Sequence, residues 1–436
     1  MTGMDVASGP RAEDPVLEAL VQDDAGAFVA ATPPAGDDGL SLPMWRRLTI
    51  FGLLLTSEFL YGWAWNTVDV LRPFFRQALH LSLLQAGSAY SAQGAGALTG
   101  AIVIGQIADR FGRRNALAML IVGYGVMLLA GVFVANYPEL LGQRFLLGVF
   151  LGAEFPVGVG IYVNLFSDKV RGRLAATLNV AFSGAIVLLG GAMGMLGGHD
   201  WRLLLWIGAL PSFLLAPIVM AVVPNFRGQT LGKARERLPI SGLFASGLRR
   251  RTLMLAAMTG LNFFGYQAYS GWLTTYLSSV RALSPTVTGQ IVSWEFAGNI
   301  IGGFAWGWAA DRFGRRFNAV GFLIAAAAIG VFILSPTNVP LLQAIGFVYG
   351  ATLCSSVIWG PWLAELYPPH LRSTAASIFN WGRIISFFAP LATAGIAGRF
   401  GLAAAMLSGS VSFTLAAVIW LCQPETLNRR SANSAL

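Results

Sequence analysis

Charge is scarce in this 436-residue chain, where only 11% of residues are Asp, Glu, Lys or Arg. Cysteine is scarcer still: Cys354 and Cys422 both lie inside apolar runs, so neither a disulfide framework nor a zinc site is indicated. The three histidines, His80, His199 and His370, fall at expected helix ends or loops, which argues against a histidine-based metal or proton-relay centre. No metal and no cofactor is expected. The lack of a GxSxG element and of a His/Cys/Asp cluster argues against an intramembrane enzyme. No basic region precedes a short apolar core at the start, so no signal peptide is expected.

What the chain does contain is oil. Hydrophobic residues make up 55% and the mean hydropathy is +0.63, far from a soluble globular protein. Apolar runs recur from Trp45 to Cys422, each near the roughly 20 residues a helix needs to cross the hydrocarbon layer. In lipid only helices or closed barrels satisfy the backbone, and these runs are too continuous for alternating barrel strands. The expectation is an all-α integral membrane protein with twelve transmembrane helices in two pseudo-symmetric six-helix bundles. The spans are placed at 46–72, 84–108, 115–135, 139–166, 174–197 and 203–223, then 252–279, 287–310, 317–335, 340–366, 374–397 and 401–422. The domains follow as a disordered acidic tail (1–44), a first bundle (45–223), a linker (224–251), a second bundle (252–423) and a short tail (424–436).

Residues 1–44 hold eight acids and one arginine, leaving 28 basic and 12 acidic residues in the rest. With the N-terminus cytoplasmic, 22 of the 29 basic residues gather on that side and only Arg76, Arg202, Arg281 and Arg399 on the other. The positive-inside rule then places both termini in the cytoplasm. The basic excess is an orientation signal, and nucleic acid is not an expected partner.

The stretch GQIADRFGRR (105–114) returns as GWAADRFGRR (307–316), identical at eight of ten positions and displaced by 202 residues. At the same offset Gln93 matches Glu295, Gly96 matches Gly298 and Gly100 matches Gly302. NLFSDKVRGRLAATLN (164–179) aligns with ELYPPHLRSTAASIFN (365–380), bringing Arg171 onto Arg372. Two parallel six-span repeats suit a secondary transporter with its substrate between them.

GxxxDRxGRR between the second and third spans, echoed between the eighth and ninth, resembles the signature of the major facilitator superfamily over about 45–428. RFLLGVFLGAEFP (144–156), NFFGYQAYSGWLTTYL (262–277), ELYPPHLRSTAASIFNWGR (365–383) and PET (424–426) are similar to segments of its metabolite and organic-acid–proton symporters, including sialate-, lactate-, nicotinate- and aromatic-acid-type carriers. The chain departs from those patterns at Gly62-Trp63-Ala64, where span 1 often carries an aspartate, and at Asn164, Thr274 and Ala375. The resemblance implies a gating role for Asp109, Arg110 and Arg113, for Asp311, Arg312 and Arg315, and for Arg171, Glu365 and Arg372. The arginines alone also fit as orientation charges.

Ionisable residues inside spans are costly and point to function. Glu154 is the favoured proton carrier, followed by Glu58, with Asp69 and Glu295 as further candidates; each also fits as a hydrogen-bonded packing carboxylate. Asp69, with Arg72 nearby, lies at a depth comparable to Arg144, so that Asp69 and Arg144 could pair. Arg144 and Arg383 are candidate partners of an anionic substrate, Arg144 alternatively a structural ion pair and Arg383 a snorkelling cation. Tyr61, Trp65, Asn262, Tyr266, Gln267, Tyr269, Trp294, Asn299, Trp359 and Asn380 complete the expected lining, and interfacial placement competes for each aromatic.

The expected function is proton-coupled import of a small organic anion by a monomer in the plasma (inner) membrane, with protons and lipid as its other partners. Drug or metabolite export by proton antiport is the alternative, and a non-transporting membrane sensor a more distant one.

Overall fold

The computed structural model describes residues 41–196, 200–226, 240–368, 371, 375 and 378–427. The expected site residue Arg372, the side chains of Asp109 and Asn380, and the tail 1–40 lie outside the described residues. Among the described residues all regular structure is helical. The first half of the chain forms α1 (Met44–Val70), α2 (Arg72–Ala78), α3 (Leu83–Phe111), α4 (Arg113–Val132), α5 (Tyr137–Leu151), α6 (Glu154–Leu165), α7 (Asp168–Leu196) and α8 (Leu203–Val222). After α9 (Ile240–Leu243) come α10 (Arg249–Ser279), α11 (Pro285–Phe313), α12 (Ala319–Leu334), α13 (Val339–Leu353), a 3₁₀ turn (Cys354–Ile358), α14 (Trp359–Glu365) and α15 (Ile378–Leu421). Six segments (113–132, 137–165, 173–196, 203–222, 339–358 and 381–421) are long and apolar enough to cross a membrane.

The helix starts repeat with the 202-residue spacing of the charge cluster. Ser82 and Ser284 cap α3 and α11, their hydroxyls accepting from the backbone N–H of Gln85 and Val287. Asn136 and Asn338 cap α5 and α13 in the same way. Each cap satisfies an N–H group that the first helical turn leaves open.

Three expected spans are broken. The fourth splits at Gly152–Ala153 because Pro156 has no N–H to offer the Gly152 carbonyl. The tenth passes through the 3₁₀ turn ahead of Pro361, which leaves Val357 in the same position. The first ends at Leu71, and Pro73 sits in the first turn of α2. The last two spans, carried here under the single label α15, are two helices parted by a kink at Gly401, where φ is 85° and ψ 163°, close to the expected boundary.

Packing within each half depends on glycine. A Cβ on Gly96 or Gly100 of α3 would sit 1.9 Å from the carbonyl oxygens of Phe145 or Val149 on α5. A Cβ on Gly302 of α11 would sit 2.0 Å from the Ala351 oxygen on α13. Small residues of this kind let membrane helices approach backbone to backbone, where dispersion replaces the missing hydrophobic drive. Between the halves, α7 packs on α11 and α3 on α15.

Gly302→Val places a branched side chain against rigid backbone, an overpacking that costs about 1–3 kcal/mol or more. It is expected to lower the melting temperature of the detergent-purified protein by several degrees. Gly303→Ala, with nothing within 4 Å of the added carbon, serves as the matched control and is expected to leave it unchanged.

Candidate functional site: the cleft between the two halves

Arg383 projects from α15 as an exposed side chain, with Phe263 of α10 5.8 Å from its guanidinium carbon. Its charge reaches Glu58 and Tyr61 of α1 and Tyr90 of α3, which places it near the first half. An aromatic ladder runs beside it: Tyr61 to Trp65 at 5.9 Å, Trp65 to Tyr90 at 6.5 Å and Tyr90 to Phe387 at 6.4 Å. Phe182 of α7 packs on Tyr61 at 5.6 Å. A cation bordered by ring faces and edges suits a flat organic anion. Tyr90 and Phe387 carry no charge and no motif, and nothing in the sequence singles them out.

Glu154 opens α6 just after the break, 2% exposed. Its Oε1 accepts from the Ser57 hydroxyl of α1, while Oε2 has no partner. Glu58, 7% exposed, lies in the same electrostatic neighbourhood. Glu58 follows Ser57 on α1, so the two carboxylates lie close together, and the Arg383 charge acts on Glu58.

The halves meet from mid-height to the end opposite the repeated charge cluster, here called the far end. Ser183 donates to Asn299 Oδ1 at 3.1 Å, Ser293 to the Val187 carbonyl at 2.7 Å and Thr286 to the Gly194 carbonyl at 2.8 Å. Ser91 donates to the Phe387 carbonyl at 2.5 Å. At the far end itself Asp69 is ion-paired with Arg72, three residues on, a spacing that puts both side chains on one helical face, and not with Arg144, which the depth match also allows. Gln267 of α10 donates to Asp69 Oδ1 at 3.0 Å and Thr274 to the Asp69 carbonyl at 2.7 Å. Arg72 donates to the Gly271 carbonyl and lies 4.6 Å over the Trp272 ring. Arg144 is 2% exposed and donates to the Thr67 hydroxyl at 2.8 Å.

Between Asp69 and Glu295 lies a chamber of ≈ 10 Å³, lined also by Asn66, Tyr266, Ser270 and Thr274. That is close to the least space that holds one water, and far too little for an organic substrate. Glu295 Oε1 accepts from Ser270 at 2.5 Å, and its Oε2 has no partner.

Other expected lining residues lie elsewhere. Tyr269 is fully buried inside the second half, against Tyr349 at 4.3 Å and Phe332 at 5.4 Å. Trp359 is equally buried there, against Phe322 and Trp420. Trp294 is 48% exposed and packs on Phe347. Asn262 is buried, with its Oδ1 unpartnered.

The sequence model of the Major Facilitator Superfamily matches residues 54–293 and 255–435. The chain belongs to the major facilitator superfamily. It is similar to the cis,cis-muconate transport protein of Acinetobacter baylyi, at 26% identity over 71% of this chain and 78% of that one. It is also similar to the 4-hydroxybenzoate transporter PcaK of Pseudomonas putida, at 24% identity over 83% of this chain and 88% of that one. Among solved structures it shares its fold with a nucleoside transporter (TM-score 0.71, 15% identity, 85% of this chain and 99% of that one). A D-xylose–proton symporter matches at TM-score 0.68 and 16% identity, covering 87% of this chain and 98% of the other. The protein is an integral membrane transporter, and not an enzyme.

The superfamily's repeated cluster is held differently in its two copies. Both turn at a glycine of positive φ, Gly112 (96°) and Gly314 (102°), a conformation that side chains with a Cβ rarely adopt. In the first copy the Arg113 backbone N–H donates to the Phe226 carbonyl at 2.9 Å, and its guanidinium to the Gly160 carbonyl. Arg110 and Arg312 are exposed, and Arg171 donates to the carbonyls of Val163 and Phe166. In the second copy Arg315 donates to Asp311 at 2.7 Å and lies 3.7 Å from Glu365. Glu365 in turn accepts from Thr426 at 2.7 Å. Glu425 accepts from the backbone N–H groups of Arg315 and Arg316, each at 2.9 Å. Part of the PET segment is thus a clamp on the second copy.

Partial burial pushes the Glu425 carboxyl up, but backbone N–H bonds from Arg316, Leu427, Arg315 and Thr426 outweigh it and hold the group below its ordinary 4.5. A carboxylate depressed on folding stabilises the fold above 4.5 and loses that contribution as pH falls through the lowered value. Glu425→Gln is therefore expected to lower the melting temperature at pH 7, with the gap to wild type closing under acid. A gap independent of pH would remove the charge from the clamp.

Proposed function

We propose that this transporter imports a small, flat organic anion together with a proton. The observation that carries the reading is Arg383, exposed in the cleft, within the field of Glu58 and beside the Tyr61–Trp65–Tyr90–Phe387 ladder. The named substrates of the two relatives, muconate and 4-hydroxybenzoate, are themselves carboxylates.

Charge balance supplies the coupling. With the cleft empty, the Glu58 carboxylate offsets Arg383. When an anion arrives on Arg383, a proton on Glu58 removes the competing charge, and the site is neutral again. Proton alone or anion alone leaves one uncompensated charge when the site closes and sheds its water, which is strongly disfavoured. Glu154, joined to α1 through Ser57, holds the proton behind Glu58. Arg383 grips the carboxylate through its planar fork. Glu295 and Asp69, on either side of the water-sized chamber, are secondary proton sites in this scheme.

The architecture proposed for this cycle is twelve spans in two six-helix bundles, 45–223 and 252–423, joined by 224–251, with pseudo-two-fold symmetry. Both termini lie in the cytoplasm, and a monomer resides in the inner membrane. The far end is then the outer face and is shut, which makes this an inward-open state. The two copies of the charge cluster, with Asp109, Arg113, Asp311 and Arg315 at their centres, act as inner-face gates in the opposite state.

A thermal-shift screen of the purified protein against benzoate, 4-hydroxybenzoate, muconate, their amides, sugars and organic cations, at two pH values, tests the class of ligand. Stabilisation by carboxylates but not by their amides is expected; stabilisation by cations alone would favour export by antiport. Glu154→Gln should abolish accumulation against a gradient in proteoliposomes while exchange of labelled substrate continues, and undiminished accumulation would remove Glu154 from the proton path. Loss of a charge-assisted contact is worth roughly tenfold to a hundredfold in affinity, so Arg383→Gln should weaken carboxylate binding by that factor.

A further inference from the structure

The far-end cluster does not balance. Arg72 is 0% exposed and Arg144 2%, while Asp69 is the one acid whose charge acts on them among the described residues. Asp69 is already engaged by Arg72 and by Gln267. The guanidinium of Arg144 has one hydrogen bond, to the neutral Thr67 hydroxyl, and the edge of its surroundings is the Phe75 ring at 5.8 Å. Its Nε has no acceptor, and neither has the Nε of Arg72. One positive charge is thus held out of water with a single neutral acceptor. Such an arrangement is costly unless a negative group completes it at some stage.

The cluster also straddles the parting line. When the far end opens, Asp69 loses Gln267 and Thr274, and Arg72 loses the Gly271 carbonyl and the Trp272 ring, all four contributed by α10. The Arg72 guanidinium then faces the opening beside the Asp69 carboxylate, and behind them stands Arg144, held by Thr67 with its Cζ 5.8 Å over the Phe75 ring and its Nε free.

We propose that Arg144 and Arg72 form a second anion-binding station at the far end, which takes a substrate carboxylate when that end is open and is emptied as α10 closes over it. The ligand class is a monocarboxylate on a small apolar body, and the inference rests on the organic-anion reading above. The station is separate from Arg383, and it is absent from the shut state because Gly271, Gln267 and Trp272 occupy its mouth.

The experiment uses the full-length protein and benzoate as probe, with benzamide as the uncharged control. A Cβ on Gly289 would lie 2.0 Å from the Gly190 carbonyl of α7, so Gly289→Trp wedges the far end apart. Arg383→Gln alone is expected to weaken benzoate binding roughly tenfold to a hundredfold, because the far end is shut. Adding Gly289→Trp should restore binding of benzoate but not benzamide, and further addition of Arg144→Gln should weaken it roughly tenfold or more. If the wild type binds benzoate but the Gly289→Trp, Arg383→Gln protein does not, or binds it regardless of Arg144, the far-end station is wrong while the central reading stands. Arg144-dependent binding in the wedged protein with none in wild type would sustain the station and sink the central site. Should no protein bind benzoate, both fall. A second measurement avoids multiple substitutions: in the Gly289→Trp protein, benzoate should protect Arg144 from an arginine-directed dicarbonyl reagent, as read by peptide mass spectrometry. Unchanged modification would overturn the proposal.

Discussion

The interaction on which this structure depends is the closure of α10 over the Asp69–Arg72 pair. In water an ion pair of this kind contributes little, but sealed between two bodies inside a membrane it leaves each charge with no other solvent than its neighbour. Gln267, Thr274 and the Gly271 carbonyl therefore do more than add hydrogen bonds. They replace the water that the pair loses on closing, and they come from one helix, so the seal forms or breaks as a unit. The glycine crossings of α3 on α5 and α11 on α13 make this possible, because backbone packed on backbone moves as a block and concentrates motion at the surface between blocks.

The same demand for local neutrality governs the cleft. Arg383 acts on an acid of the other half, so in the proposed cycle its balance changes whenever a proton or an anion arrives. The near end follows a different economy. There water is close, Asp311 is exposed, and a carboxylate from beyond the last span can serve as a cap for backbone N–H groups.

Much of this was legible in the residues. The 202-residue echo located both charge clusters, and the glycines at the same offset turned out to make the same helix crossings. The ionisable residues inside spans marked α1, the start of α6 and α11. What sequence left open was direction. Each residue along a helix turns the side chain by about 100°, so a depth match between Asp69 and Arg144 said nothing about whether they face each other, and the three-residue spacing gave Asp69 to Arg72. Tyr269 and Trp359 carry suitable chemistry but point into the second half. Pro156 was the readable sign that the fourth span breaks beside Glu154. Tyr90 and Phe387 had no sign at all, since an aromatic in an oily chain is unremarked until its neighbours are known.

The shut region has an electrical consequence. From the Asn299 contact to the Thr286 contact is thirteen residues of α11, about 20 Å of sealed protein, against a hydrocarbon thickness of about 30 Å. In the proposed inward-open state water enters from the other end, so the transmembrane voltage falls mainly across this plug. Any charge shifted through its depth works against about 2.3 kcal/mol per 100 mV. In the proposed orientation the surplus cation at Arg144 belongs to this plug, and the rate at which the plug opens is then expected to follow how strongly the membrane is polarised.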